Sequence, residues 1–166
     1  MSVCVLGFFD GVHAAHRALL KRAVRAARAR GEKSIAVTFS ESPESLLAQK
    51  EPMLLCTFSE KEQRIRLCGI DELYLLDERH LRMSGEEFAA EILRGTLDAK
   101  VVFCGENYRF GRHAACTPRQ LRDFGEKYGF KTVVMPLLKR DNESISSTRI
   151  RNLIANGETV KAKKLM

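Results

Sequence analysis

The stretch that decides the fold is residues 3–16, which read VCVLGFFDGVHAAH. Its first part, Val3–Leu6, is a short apolar run typical of a buried strand. A glycine-containing loop follows at once, and a helical pattern then runs from about His16 to Arg30 and closes at Gly31. A strand that passes through a glycine loop directly into a helix predicts a β–α–β unit, and so a parallel sheet.

The rest of the chain repeats this alternation of short apolar runs and longer amphipathic ones. Further strands are predicted at Ser34–Phe39, Leu73–Leu76, Val101–Cys104 and Lys131–Met135. Two helices are predicted to start with a capping box: one from Ser59, paired with Glu62, to near Gly69, and one from Ser84, paired with Glu87, to about Arg94. A third helix is predicted from Thr117-Pro118 to about Tyr128, ending at Gly129. A fourth is predicted to begin near Ser147, after a polar loop at 139–144. We therefore predict a single Rossmann-like α/β domain over residues 1–166, with about five parallel strands and helices on both faces.

Composition narrows the class of protein. The 166 residues carry 28 Lys and Arg against 21 Asp and Glu, which gives a formal net charge of +7. No apolar run approaches the roughly 20 residues that cross a bilayer, and the N-terminus lacks the basic start and apolar core of a signal peptide. The five cysteines form no C-x-x-C pair, so neither a zinc site nor a disulfide framework is indicated. We expect a cytoplasmic protein without a membrane segment.

The loop after the first strand has the residues of an anion site. Gly7 and Gly11 allow a close approach of the backbone and positive φ. His13 and His16, three residues apart at a helix start, project to one side beside exposed N–H groups and the positive end of the helix dipole. Two other readings remain open, namely a metal-binding histidine pair and an ordinary solvated helix start.

The segment after the fourth strand, Gly105–Gly111, reads GENYRFG. Aromatic rings alternate there with an amide and a guanidinium. Such side chains can stack on the flat ring of a ligand, form hydrogen bonds with its polar edge and hold a phosphate. Loops rich in aromatic residues and glycine are also common as structural corners, and that alternative remains open.

A second anion site is indicated near the other end of the chain, where residues 145–153 read ISSTRIRNL. Ser147 and Thr148 stand at a predicted helix start, and Arg151 follows four and three residues later, on the same face. As a bare capping motif this is ordinary. Its interest is that it could complete the first anion site.

Nucleic acid is a weaker alternative partner. Four basic residues of the first helix share one face: Arg17, Lys21, Arg25 and Arg28. No stripe of aromatic and basic residues and no recognition-helix pattern accompanies them, so a solvated helix face explains the pattern better.

Three segments in this order, GFFDGVH (7–13), GENYRFG (105–111) and ISSTRIR (145–151), resemble those of a known family. The chain resembles the FMN adenylyltransferase module of bacterial FAD synthetase, the bifunctional riboflavin kinase/FMN adenylyltransferase family, within the H-x-G-H nucleotidyltransferase superfamily. Residues 37–39, 58–61 and 84–88 fit as well. The resemblance implies a reaction in which ATP, with Mg²⁺, and FMN give FAD and pyrophosphate. The resemblance does not predict an oligomeric state. No riboflavin kinase activity is expected, since the sequence ends near the start of the family's kinase barrel.

The resemblance also implies roles for individual residues. The ATP-binding set would be Gly7, Phe8, Asp10, Gly11, His13, His16, Ser147, Thr148 and Arg151. Within it, the catalytic residues would be His13, His16 and Arg151. The flavin-binding set would be Phe39, Pro43, Leu47, Phe88, Asn107, Arg109 and Phe110. No protein ligand of a metal is assigned.

This sequence departs from the family pattern at three places. Ala15 stands where glycine is usual, and its methyl group is expected to crowd the nucleotide. The segment Ser40-Glu41-Ser42 replaces an Asp-Pro-His sequence, and Glu41 is expected to weaken the binding of a phosphate-rich ligand. Cys116 replaces a glycine and removes an option for positive φ. These departures keep two alternatives open: the same chemistry with a different acceptor, and a nucleotide- or flavin-binding module without turnover.

Overall fold

The computed structural model describes residues 1–47 and 53–166. Its centre is a five-stranded sheet with the order β3-β2-β1-β4-β5, in which every neighbouring pair is parallel. The strands are β1 (Ser2–Leu6), β2 (Lys33–Phe39), β3 (Glu72–Leu76), β4 (Ala99–Gly105) and β5 (Lys131–Met135). The predicted Rossmann-like fold class is confirmed.

Helices connect the strands and continue beyond the sheet. The α-helices are α1 (Ala14–Arg30), α2 (Pro43–Leu46), α3 (Phe58–Leu67), α4 (Glu78–Arg82), α5 (Gly85–Glu87), α6 (Pro118–Tyr128), α7 (Ser147–Ala155) and α8 (Thr159–Leu165). Two 3₁₀ turns lie at Asp10–Val12 and Arg112–Ala114, and a π-helix, Phe88–Thr96, continues α5. A two-stranded hairpin, β6 (Lys139–Arg140) and β7 (Glu143–Ser144), forms where a loop is predicted.

The sheet is buried on both faces because successive residues of a strand point to opposite sides. Val3 and Val5 of β1 pack into a core with α1 and α3, whereas Cys4 and Leu6 pack into a second core with the π-helix and α6. All five residues of β1 are buried, as expected for the central strand of a parallel sheet.

The helix ends follow the capping signals, with one correction. Gly31 and Gly129 end their helices with positive φ, Gly69 adopts positive φ just beyond its helix, and the Ser84–Glu87 capping box is present. The predicted cap at Ser59 is wrong, because Thr57 caps α3 in a reciprocal box with Glu60. Both positions satisfy the S/T-x-x-E pattern, so the pattern alone does not choose between them.

The position of the functional site follows from the strand order. The connection from β1 leads to β2 on one side, and β4 lies on the other side of β1, so the crossovers diverge between the carboxyl ends of β1 and β4. In open parallel sheets, ligands bind at such a divergence. Within residues 1–47 and 53–166, no helix has the length and apolar character required to cross a membrane.

Candidate active site

The loop after β1 is held in a strained form by its neighbours. Phe9 and Val12 have positive φ values of 57° and 47°, and Gly11 has one of 73°. The Gly11 N–H donates to Cys56 Sγ at 3.2 Å, and the Arg64 guanidinium donates to the Gly11 carbonyl at 2.9 Å. Positive φ is costly for Phe and Val, so these contacts from outside the loop maintain its shape.

His13 and His16 stack on each other at the start of α1. Their ring centroids are 3.6 Å apart with an angle of 15° between the planes, and the Phe9 ring meets His16 edge-on at 5.3 Å. His13 is the N-cap of α1, and its Nδ1 accepts from the His16 N–H at 3.4 Å. A neutral His13 therefore carries its proton on Nε2, which is free to donate elsewhere.

Both imidazoles are neutral at physiological pH. Burial, assisted by the positive charge of Arg17, lowers the pKa of His13 to about 4. Burial, together with His13 and Lys61, holds the pKa of His16 well below its ordinary value. Among the described residues, His16 Nδ1 is a buried polar atom without a hydrogen-bond partner. Such an atom is costly unless a ligand satisfies it, which marks the position as a binding site.

The C-terminal segment meets the first loop directly. The Asp10 carboxylate is buried and forms an ion pair with Arg151 at 2.7 Å, while its other oxygen accepts from the Leu55 N–H at 2.9 Å. Ser147 Oγ donates to the Asp10 carbonyl at 3.1 Å, and the Arg151 guanidinium lies 3.5 Å from Thr148 Oγ1. The two predicted anion sites are thus neighbours, although they are about 140 residues apart in the chain.

One cavity, of about 590 Å³, lies between these two segments. His13 and His16 line one side of it, and Ser147 and Thr148 line another. Arg151 instead lines a smaller adjoining cavity of about 140 Å³, which His16 and Ser147 also border. We call the larger space, bordered by His13 and Thr148, the hydroxyl cavity.

A second cavity, also of about 590 Å³, lies on the other side of His16. All seven residues assigned to flavin line it: Phe39, Pro43, Leu47, Phe88, Asn107, Arg109 and Phe110. Tyr108 stacks on Phe110 with ring centroids 5.9 Å apart, and Phe88 lies 5.9 Å from the same ring. We call this space, bordered by Phe88 and Phe110, the aromatic cavity.

The hydroxyl and aromatic cavities share part of their walls. His16, Leu19, Gly105 and Asn107 border both of them, at the carboxyl ends of β1 and β4 where the crossovers diverge. A ligand in one cavity can therefore reach a ligand in the other beside His16. This arrangement suits a reaction between two bound molecules.

Lys61 is a site-supporting residue that sequence reasoning missed. Its side chain is only 3% exposed, and its ammonium group donates to the carbonyls of Phe39 at 2.6 Å and Phe8 at 3.2 Å. It also lies 4.1 Å from the centroid of the Phe8 ring, and burial lowers its pKa to about 8. The sequence does contain a signal for its burial. Lys61 lies four residues before Ile65, on the buried face of α3, where an apolar residue is expected.

The three departures from the family pattern have different surroundings. Ala15 borders the hydroxyl cavity and packs against the C-terminal helices. Glu41 is exposed and borders neither the hydroxyl cavity nor the aromatic cavity, whereas Glu44 borders the aromatic cavity. Cys116 has no positive φ, and its Sγ occupies the space beside Gly85 that a Cβ would need. Its replacement of glycine therefore causes no backbone strain.

The residues around the two cavities do not form a metal cage. In the part of the chain that the structure describes, no group of three or more His, Cys, Asp or Glu side chains is placed to hold a metal ion. The Asp10 carboxylate is already engaged by Arg151 and Leu55.

Comparison with solved structures defines the class of protein. The chain superimposes on a pantoate–β-alanine ligase from Francisella tularensis with a TM-score of 0.57 at 14% identity, covering 98% of this chain and 69% of that one. At this identity the likeness shows the fold alone, an α/β fold around a parallel sheet. Residues 1–149 match the model of the family described as FAD synthetase. The chain therefore belongs to the FAD synthetase family.

Individual relatives agree with this assignment. The chain is 33% identical over 159 residues to a putative bifunctional riboflavin kinase/FMN adenylyltransferase of Geobacillus thermodenitrificans, covering 95% of this chain and 84% of the relative. The bifunctional riboflavin kinase/FMN adenylyltransferase of Escherichia coli is 29% identical, with 99% and 53% covered. A Streptococcus pneumoniae structure, described as a macrolide-efflux protein, has a TM-score of 0.85 and 32% identity over 99% of this chain and 55% of that one. The chain thus spans about half the length of the last two.

Proposed function

We propose that residues 1–166 form one domain that transfers the adenylyl group of ATP to FMN and releases pyrophosphate. The observation that carries this proposal is the shared wall of the hydroxyl and aromatic cavities at His16 and Asn107. A triphosphate in the first cavity and a flavin in the second would place their reacting phosphates side by side. Family membership supports the same pair of substrates.

In this proposal the hydroxyl cavity and the loop after β1 hold the ATP. The loop residues are Gly7, Phe8, Asp10 and Gly11, and the side chains that face the triphosphate are those of His13, His16, Ser147 and Thr148. The start of α7 adds backbone N–H groups and the positive end of a helix dipole, which favour phosphate. Arg151 supports this wall through its ion pair with Asp10, and its contact with Thr148 leaves it within reach of the leaving pyrophosphate.

No protein nucleophile is needed. A phosphate oxygen of FMN forms a bond to the α-phosphorus of ATP, and the bond from that phosphorus to its bridging oxygen breaks. Pyrophosphate leaves with the electron pair. His13 donates a hydrogen bond from Nε2 to the negative charge that develops at the α-phosphate. His16, at the junction of the two cavities, stabilises the same charge. Catalysis is then positioning together with charge stabilisation.

Magnesium would enter with the nucleotide and would neutralise part of the charge on its phosphates. The flavin would occupy the aromatic cavity between Phe39 and Phe110, with Asn107 beside the phosphate end. We expect the reaction in the cytoplasm, a reducing compartment that suits the five free cysteine thiols.

The direct test is incubation of the protein with ATP, Mg²⁺ and FMN, followed by chromatographic measurement of FAD and pyrophosphate. We expect both products in equal amounts, and none without protein. Absence of FAD above that control would contradict the proposal. Tight binding of both substrates without product would instead favour a binding module.

A second candidate keeps the chemistry but changes the acceptor. It is favoured by Glu44, an exposed carboxylate that borders the aromatic cavity and would oppose a phosphate nearby. Pyrophosphate release with other phosphorylated acceptors, but not with FMN, would support it. The Ala15→Gly variant adds a check, because a rise in FAD formation would show that the Ala15 methyl group hinders FMN adenylylation itself.

A further inference from the structure

Glu106 joins the exits of two neighbouring strands and has no role in the chemistry proposed above. It directly follows β4, and its flanking residues Gly105 and Asn107 border both cavities, although Glu106 itself borders neither. A residue that stands between two members of this shared wall can influence both cavities without touching either ligand.

The residues after β4 form a tight turn. The Tyr108 N–H donates to the Gly105 carbonyl at 3.1 Å, so Glu106 and Asn107 are the two central residues of a four-residue turn. The Asn107 side chain lies against Gly105, since a Cβ at Gly105 would come within 3.2 Å of Asn107 Oδ1. The position of Asn107 at the junction of the cavities therefore depends on how this turn is held.

Glu106 fastens the turn to the segment that follows β5. Its N–H donates to the Met135 carbonyl at 2.9 Å, and its carboxylate accepts from the Leu137 N–H at 3.0 Å. Since β4 and β5 pair as far as Gly105 and Met135, these two hydrogen bonds continue the connection where the sheet ends. Pro136, between the two bonded residues, has a fixed φ, which limits how this segment can rearrange.

The segment after β5 borders the hydroxyl cavity. An apolar wall is formed there by residues 135–138, which read MPLL, and such a wall suits the flat base of a nucleotide. Beyond the sheet, the backbone of this segment has two hydrogen-bonded partners among the described residues, which are Glu106 and, through the Leu138 carbonyl, Ile145. In that part of the chain, Glu106 is thus the link between this wall and the turn that carries Asn107.

Resting on the proposed function, we propose that Glu106 is a positioning residue that couples the binding of the two substrates. A nucleotide base that packs on residues 135–138 orders that segment, and the hydrogen bond from Leu137 to Glu106 transmits the ordering to the turn. The flavin then meets an Asn107 that is already in place, so it loses less conformational entropy on binding. By reciprocity, the flavin strengthens the binding of the nucleotide by the same factor.

The test measures the Kd of FMN by flavin fluorescence, with and without a saturating concentration of a non-hydrolysable ATP analogue and Mg²⁺. We expect the analogue to tighten FMN binding about fivefold in the wild type, the lower end of the usual range for coupled sites. Glu106→Ala loses the acceptor of the Leu137 N–H and should show a ratio close to one. Glu106→Gln keeps an oxygen that accepts from this N–H and should retain most of the coupling.

Hydrogen exchange of the Leu137 N–H gives a direct readout of the link. This amide should be protected in the wild type and in Glu106→Gln, and it should exchange about tenfold faster in Glu106→Ala, as the loss of one hydrogen bond would give. The matched control is Glu126→Ala, at an exposed position of α6 that borders neither cavity, which should behave as the wild type in both measurements.

Equal coupling in the wild type and Glu106→Ala would overturn the inference, as would a Glu106→Gln variant that couples no better than Glu106→Ala. An unprotected Leu137 amide in the wild type would overturn it as well. Because the Glu106 side chain is exposed, Glu106→Ala should remain folded, and the wild-type exchange measurement does not depend on that variant.

The outcomes also separate this inference from the proposed function. Coupling that depends on Glu106 in a wild type that forms no FAD overturns the proposed reaction and supports the role of Glu106. A wild type that forms FAD while its affinity for FMN is unaffected by the analogue overturns the role of Glu106 alone. A wild type that binds neither ligand overturns both.

Discussion

At the residue scale, the important property of the two stacked histidines is that burial keeps them neutral. A neutral His13 has a defined tautomer, because Nδ1 is used as the cap of α1 and the proton is on Nε2. His16 has the unpartnered Nδ1 and borders both cavities and the smaller space beside Arg151. Hydrogen-bond donors that are fixed before the substrate arrives stabilise developing charge without reorganisation.

Replacing His16 with alanine tests its place at the junction. We expect FAD formation to fall by about 10² to 10³ in kcat, the usual cost of losing one group aimed at developing charge. The matched control is Arg25→Ala, an exposed position on the same helix, which should leave the rate unchanged. An unaltered rate in His16→Ala would remove this residue from the mechanism.

The pH dependence of stability tests the burial of His13. Its pKa is about 4 in the folded protein and about 6.5 in an unfolded chain, so the unfolded state binds the proton more readily. The free energy of unfolding should therefore fall as the pH drops from 6.5 toward 4. Between pH 7 and pH 5 the loss from His13 is about 2 kcal/mol, and His16 adds to it in the same direction.

Urea unfolding at pH 7 and pH 5 measures this loss. The variant His13→Asn keeps a capping side chain at the start of α1 but cannot titrate, so its stability should vary less with pH. Equal pH dependence in the variant and the wild type would contradict the assignment.

At the element scale, side chains of α3 hold the loop after β1 and the end of β2 in place. Lys61 reaches from α3 to carbonyls after β1 and at the end of β2, and Arg64 reaches to Gly11. Cys56, just before the helix, accepts from the Gly11 N–H. The shape of the loop after β1 therefore depends on where α3 begins.

The start of α3 can be checked with two single substitutions. Thr57→Ala removes a side chain that accepts from the Glu60 N–H, and should lower the free energy of unfolding by about 1 kcal/mol. Ser59→Ala lies inside the helix and should change it by less than about 0.5 kcal/mol. Chemical denaturation measures both. The reverse order would place the cap at Ser59.

Replacing Lys61 with methionine removes two hydrogen bonds but keeps most of the side-chain volume. The carbonyls of Phe8 and Phe39 lose their donor, so the loop relaxes, and kcat/KM for FAD formation should fall by about tenfold or more. Gln63→Met, at an exposed position of the same helix, is the control and should have no effect. A loss of stability with unchanged kinetics would limit Lys61 to a structural role.

At the scale of the whole molecule, the site is closed by the C-terminal helices. Ile145 and Ile150 form a separate apolar cluster with Ala162 and Leu165, and Ala14 at the start of α1 packs against it. The buried ion pair between Asp10 and Arg151 joins the same two parts of the chain. A nucleotide between them would add to this connection.

Binding of a non-hydrolysable ATP analogue should therefore stabilise the fold. At a concentration 100 times its Kd, a ligand that binds only the folded state adds about 2.7 kcal/mol. For a chain of this size, that corresponds to a rise in Tm of about 5–11 °C. Thermal unfolding with and without the analogue measures the shift.

The double variant Ser147→Ala with Thr148→Ala should lose most of this shift at the same analogue concentration. A variant at an exposed position of α6 that borders neither cavity, Arg122→Ala, should keep it. An equal shift in all three proteins would mean that the nucleotide does not use the hydroxyl cavity.

Much of the local structure could be predicted because it depends on neighbours in the chain. The alternation of strands and helices, the glycine ends of α1 and α6 and the Ser84–Glu87 cap all follow from such short-range signals. The wrong cap at Ser59 arose where two overlapping patterns were equally good and only packing separated them. The role of Lys61 was missed because it depends on contacts with other elements.

What the sequence by itself determined was the fold class, the family and the segments that line the two cavities, since periodicity and motif order are properties of the chain alone. Only the tertiary structure decided that Asp10 meets Arg151 and that His16 and Asn107 border two cavities. The physical reason is that the strand order β3-β2-β1-β4-β5 brings distant loops to one edge of the sheet. Burial at that edge then keeps the imidazoles of His13 and His16 neutral, which no local pattern records.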